Sequence, residues 1–193
     1  MSDGFGSFTV DGFLAAVAAR EPAPGGGAVT AVTVAAAAGL VAMAARFAAD
    51  PTATAAIVAE ADDVRTAVTA LADADAQVYG AVLAAFRTPR DDPGRRAGIR
   101  HALERAADVP LRIAEAGARV ARLGAAAAEG GNPNLAGDVR AGVVLAAAAA
   151  TAAAELVRIN VELGGLDPAV AAAARAHVDE ATAARDGLAG ARS

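Results

Sequence analysis

PAPGGGAVTAVTVAAAAGLVAMAAR, residues Pro22 to Arg46, decides the fold. Two prolines stiffen the approach, three consecutive glycines follow, and an uncharged run of 18 residues extends from Ala28 to Ala45. A stretch of that length built on alanine and valine predicts a buried helix. Glycines directly before a helix leave backbone N–H groups free at the positive end of its dipole, a setting for an anion or a developing negative charge. They read more readily as a tight turn where two backbones touch, because the Lys and Ser/Thr of a phosphate loop are missing. The run just reaches the length of a membrane span. Alanine is only marginally apolar, however, and neither an aromatic belt nor a basic loop flanks it, which favours a central core helix and no membrane partner.

Outward from this segment the chain reads as helices throughout. Thr9 is placed to cap a short first helix over Phe8 to Arg20, with Phe13, Leu14 and Val17 at helical spacing. The second helix ends near Ala49, since Asp50 precedes Pro51 and is pushed from helical angles. From Thr52 to Phe86, residues Ile57, Val64, Val68, Leu71, Val78, Val82 and Phe86 recur at steps of three, four and seven, forming one apolar stripe. Asp75 falls inside that stripe, whereas Asp62 and Asp73 project to the opposite side. A carboxylate on a buried face needs a partner or a cavity, as a functional group or as a satisfied core residue that fixes register.

The segment RTPRDDPGRR, Arg87 to Arg96, is a polar loop with four arginines, either solvated or a carboxylate clamp at a pocket mouth. A helix carrying Ile99, Leu103, Ala106 and Ile113 then passes through Pro110, which has no N–H to donate to the Ala106 carbonyl. After Leu123 a Gly- and Asn-rich loop leads to a helix over Asn134 to Leu163, whose inward face is marked by Leu145, Leu156, Ile159 and Leu163. Asp138 projects onto that face, or caps the helix, and Asn160 sits at its edge. Asp167-Pro168 restarts a last helix to about Leu188. Strand signals are absent, so the fold class is all-α, an up-and-down bundle of about five or six helices in a single domain over 1–193.

Composition narrows the chemistry. With 0 Cys, disulfides, thiolate catalysis and Cys-based zinc sites are excluded. Lysine is absent and all 17 basic side chains are Arg, which removes Schiff-base chemistry but keeps bidentate carboxylate recognition. A net charge of -5 with no basic stripe argues against nucleic acid as a partner. His101 and His177 lack carboxylate neighbours at metal-ligand spacing and read as structural or exposed. The N-terminus MSDGFGSFTV has no secretory pattern, so a cytoplasmic location is expected.

Five segments, in order, resemble the cyclodeaminase/cyclohydrolase family, which comprises the C-terminal domain of formiminotransferase-cyclodeaminase and free-standing methenyltetrahydrofolate cyclohydrolases. They are PAPGGGAV at Pro22 to Val29, Asp75 with AFRTPR at Ala85 to Arg90, DVPL at Asp108 to Leu111, GGNPNLAGDV at Gly130 to Val139, and VRIN at Val157 to Asn160. The resemblance implies an all-helical homodimer that acts on the one-carbon bridge of a small-molecule folate substrate with no metal and no organic cofactor. Two reactions are implied: hydrolysis of 5,10-methenyltetrahydrofolate to the 10-formyl form, or cyclisation of 5-formiminotetrahydrofolate with loss of ammonia. Free-standing length favours the first. With no Cys or Lys, proton transfer falls to carboxylates, and Asp75 and Asp138 match family positions as the catalytic pair. Gly25, Gly26 and Gly27 would wall the substrate near both carboxylates. Asn132, Asn134 and Asn160 would bond the pterin edge, and Arg87, Arg90 or Arg140 the glutamate tail. Gly137 and Leu156 stand where the family commonly has serine and asparagine. A catalytically silent bundle that binds folate or a partner is the reading from another class.

Overall fold

The computed structural model describes residues 4–190. Six helices follow one another: α1 (Val10–Ala18), α2 (Gly26–Arg46), α3 (Pro51–Arg87), α4 (Arg95–Ala128), α5 (Ala136–Gly164) and α6 (Pro168–Gly190), with short 3₁₀ turns at Phe5–Ser7 and Pro133–Leu135. No strand occurs among the described residues. The boundaries have local causes. Thr9 accepts from the Gly12 N–H at 3.0 Å and starts α1. Asp50 accepts from the N–H groups of Thr52 and Ala53 at 2.9 and 3.2 Å, with Pro51 in the first turn of α3. Gly165, at φ 55, ends α5 in the left-handed conformation that only glycine adopts without strain. α4 outruns its expected end near Leu123 because the four alanines after Gly124 continue the helix.

α2, α3, α4 and α5 pack as a ring, and α6 covers the groove between α4 and α5. Neighbours in the ring run antiparallel. On α2 and α5, Gly26 lies beside Leu156 while Gly142 lies beside Ala37 and Val41. The core is made of small side chains: Ala28, Ala31, Val34, Ala38, Ala42, Ala114, Ala146 and Ala150 are all at 0% exposure, and the largest fully buried side chains are Leu103 and Ile113. Alanine brings helix axes close together, and glycine brings them closer. A β-carbon on Gly117 would meet the Ala146 carbonyl oxygen at 2.9 Å, and one on Gly124 would overlap Val143.

This close packing corrects the expected orientation of α5. Its buried face consists of Val139, Gly142, Val143, Ala146, Ala147, Ala149, Ala150, Ala153, Val157 and Val161. Leu145, Ile159 and Leu163, expected inside, are 39%, 42% and 65% exposed. An alanine-lined seam has no room for leucine, so the larger side chains turn outward. Asp138, seven residues before Leu145, shares that outward face and sits in the first turn of α5 without capping it. On α3 the expected stripe holds: Val64, Val68, Leu71, Val78 and Val82 are buried, and only its last member, Phe86, emerges at 44% exposure. α1 stands apart from the bundle, with none of its residues buried.

Candidate functional site

The start of α2 carries free N–H groups that its own N-cap, Gly25, cannot satisfy with a side chain. Asp75, from the middle of α3, fills that role from a neighbouring helix. Its carboxylate lies directly over Gly27, so that a β-carbon there would overlap it, and it accepts a hydrogen bond from the Ala28 N–H. Glycine at position 27 is therefore required by close approach. The Ala23–Pro24 peptide that delivers the glycines is cis, and Pro24 is buried.

Asp75, the three glycines and Asn160 line one cavity of about 460 Å³ between the α2 N-terminus, α3, α4 and the C-terminal part of α5. That volume suits a small organic ligand. Apart from Asp75, Asn160 and the hydroxyl of Tyr79, the side chains around it are apolar, among them Val82, Phe86, Leu156, Ile159 and Leu163. Burial in this setting raises the Asp75 pKa above its usual value, and the Ala28 N–H opposes the shift only in part. The result is a carboxylate of increased basicity, facing the positive end of a helix in a largely apolar pocket. Such a group can take a proton from a bound water and can stabilise a cation beside it.

Asn160 is held by a specific contact. Its Nδ2 donates to the Ala106 carbonyl oxygen at 2.9 Å. That is the carbonyl left without an intrahelical partner by Pro110, which is fully buried and also lines the cavity.

The other sequence-predicted residues lie elsewhere. Asp138 is separated from Leu156, the contact of Gly26, by about 27 Å of helix at 1.5 Å per residue, so one chain does not bring it to the glycines. The expected single pocket is thus divided. Asn132 accepts from the Asn134 N–H at 3.0 Å, capping the 3₁₀ turn, and Arg140 donates to the Leu188 carbonyl at 2.9 Å. Asn132 and Arg140 line a separate cavity of about 260 Å³ beside the α5 N-terminus, which neither Asn134 nor Asp138 lines. Arg87 and Arg90 are exposed and line neither cavity. The last two arginines of their segment, Arg95 and Arg96, join Arg100 and Glu162 in lining a groove of about 560 Å³ that shares Leu163 with the main cavity. Arg95 Nε donates to the Thr88 carbonyl at 2.9 Å, folding the loop back onto α4.

Sequence reasoning passed over Tyr79. Its signal was position: it is the chain's one tyrosine, four residues after Asp75 and so on the same helical face.

Comparison with known proteins gives a consistent picture. Residues 9–180 match the family described as formiminotransferase-cyclodeaminase. A methenyltetrahydrofolate cyclohydrolase of Methylorubrum extorquens is 30% identical over 173 residues, covering 84% of this chain and 82% of the relative. The crystal structure of formiminotetrahydrofolate cyclodeaminase from Thermotoga maritima superposes with a TM-score of 0.81 at 26% identity, covering 95% of this chain and 92% of that one.

Proposed function

Because the chain belongs to the formiminotransferase-cyclodeaminase family, we propose that it hydrolyses 5,10-methenyltetrahydrofolate to 10-formyltetrahydrofolate, with Asp75 as general base. The observation that carries this reading is the raised, desolvated carboxylate of Asp75 against the α2 N-terminus in a cavity of ligand size. The bridging carbon of the substrate is an amidinium cation, which the Asp75 charge attracts. Water bonds to that carbon as Asp75 accepts its proton. The neutral carbinol then opens: the bond from carbon to N5 breaks, N5 gains a proton, the hydroxyl loses one, and the formyl group stays on N10. One proton is released overall. Phe86, Tyr79 and Leu156 offer apolar surface to a flat ring, and Arg95, Arg96 and Arg100, in the groove that adjoins the cavity at Leu163, offer donors to a carboxylate tail.

The decay of 5,10-methenyltetrahydrofolate, followed by absorbance, tests this. A rate well above buffer is expected, and an unchanged rate overturns the reading. Cyclisation of 5-formiminotetrahydrofolate is the second reading, supported by the 0.81 superposition on a cyclodeaminase. It passes through the same kind of tetrahedral carbon, with Asp75 as the acid that protonates departing ammonia. Release of ammonia from that substrate, with no acceleration of methenyl hydrolysis, would favour it.

The working unit in this proposal is a cytoplasmic homodimer. Val10, Leu14 and Val17 leave α1 with a bare apolar face at 76%, 58% and 37% exposure, and Val144 and Leu145 on α5 add a second exposed patch. A nine-residue helix is marginal without packing, and a second copy of the chain would supply it.

A further inference from the structure

Pro110 and Asn160 form a device that goes beyond filling space. The proline has no N–H to give the Ala106 carbonyl, one turn earlier in α4. Asn160 Nδ2 supplies the missing donor at 2.9 Å. Only the nitrogen end of an amide can do this, so the orientation of Asn160 is compelled by chemistry: the flipped amide would set two oxygens against each other. Its Oδ1 is left without a hydrogen-bond donor among the described residues, on a residue that lines the cavity.

We propose that Pro110 is a positioning residue that locks the Asn160 amide, so that its Oδ1 serves the cavity as a fixed acceptor for an N–H donor of the ligand. This rests on the reading that the cavity takes a folate-like ligand. Asp75 ionised is also an acceptor, and the rest of the wall is largely apolar. The two side chains therefore select a heterocycle that presents N–H donors and discriminate against one that presents lone pairs at the same edge, because a buried acceptor facing a lone pair is unsatisfied and repelled.

Three variants test the device: Asn160→Leu, Pro110→Ala, and the two combined. Asn160→Leu removes both the donor to Ala106 and the acceptor in the cavity. It should lower the thermal midpoint and raise KM for 5,10-methenyltetrahydrofolate at least tenfold. Adding Pro110→Ala returns an N–H to the Ala106 carbonyl inside the helix, so the double variant should regain the thermal midpoint and keep the raised KM. Pro110→Ala alone releases the amide and should raise KM about threefold with little change in kcat and no loss of stability. A double variant with wild-type KM, or one that does not recover the stability lost by Asn160→Leu, overturns the proposal. Calorimetric titration with tetrahydrofolate reads the same pattern in the dissociation constant without turnover. A wild-type chain that binds tetrahydrofolate, loses affinity on Asn160→Leu and converts nothing would refute the hydrolase reading alone. One that neither binds nor converts refutes both.

Discussion

At the scale of the residue, everything turns on the contact between Asp75 and Gly27. Asp75 was legible in the sequence because a carboxylate inside an apolar stripe demands an explanation, and the glycines were legible as a backbone-only wall. What brought the two together is a trans-helix cap, which no one-dimensional pattern encodes. Asp75→Asn keeps the shape and removes the base, so turnover should fall at least tenfold, within the ~10²–10⁴-fold typical of proton-transfer residues, while the fold survives. Gly27→Ala should be comparably damaging, since its β-carbon displaces the carboxylate. The pH dependence follows in sign. Burial raises the Asp75 pKa above 3.8, so the folded state holds this proton to higher pH than the unfolded chain does. Stability from this group is therefore lost as pH rises from about 3.8 through the folded pKa, and the buried charge is a constant penalty above it. Denaturant midpoints of wild type and Asp75→Asn, measured across pH, should favour the variant at neutrality and converge in acid. In the active enzyme, kcat/KM should rise with pH through that same raised pKa.

At the scale of the element, helices and their limits were readable and one facing was not. Apolar spacing and proline or glycine punctuation located all five bundle helices to within a few residues. α5 misled because hydrophobicity suggests leucine inside, whereas the core selects by size. Asp138 inherited that error. It projects with Leu145, which is 39% exposed, at the end of α5 away from Leu156 and Leu163, which line the cavity. Asp138→Asn should therefore leave turnover within about threefold of wild type, in contrast to Asp75→Asn. The size rule predicts a matched pair in stability. Gly117→Val drives a side chain into the Ala146 carbonyl, which a β-carbon would already meet at 2.9 Å, and should destabilise by about 1–3 kcal/mol in urea unfolding, the usual range for overpacking. Gly137, in the first turn of α5 with open space around it, should accept alanine with a gain of up to about 1 kcal/mol.

At the scale of the whole molecule, one chain leaves hydrophobic surface that a bundle of this size has no internal use for. α1 and the Val144 and Leu145 patch of α5 are the clearest cases. Light scattering of the wild-type chain should give twice the monomer mass, and Leu14→Glu should shift it towards one. A monomeric wild type would remove the dimer from the proposal. This level was the least legible in the sequence. The expectation of a dimer came from family resemblance, because an amphipathic α1 reads the same whether its apolar face meets its own bundle or another copy.

Tyr79 has a practical consequence. The chain contains no tryptophan and one tyrosine, and that tyrosine lines the cavity on the same face of α3 as Asp75. Emission excited in the tyrosine band, to the red of phenylalanine absorption, therefore originates next to the ligand site. The unlabelled, unmutated molecule carries its own optical gauge of occupancy, and a titration curve read from it reports on that cavity alone.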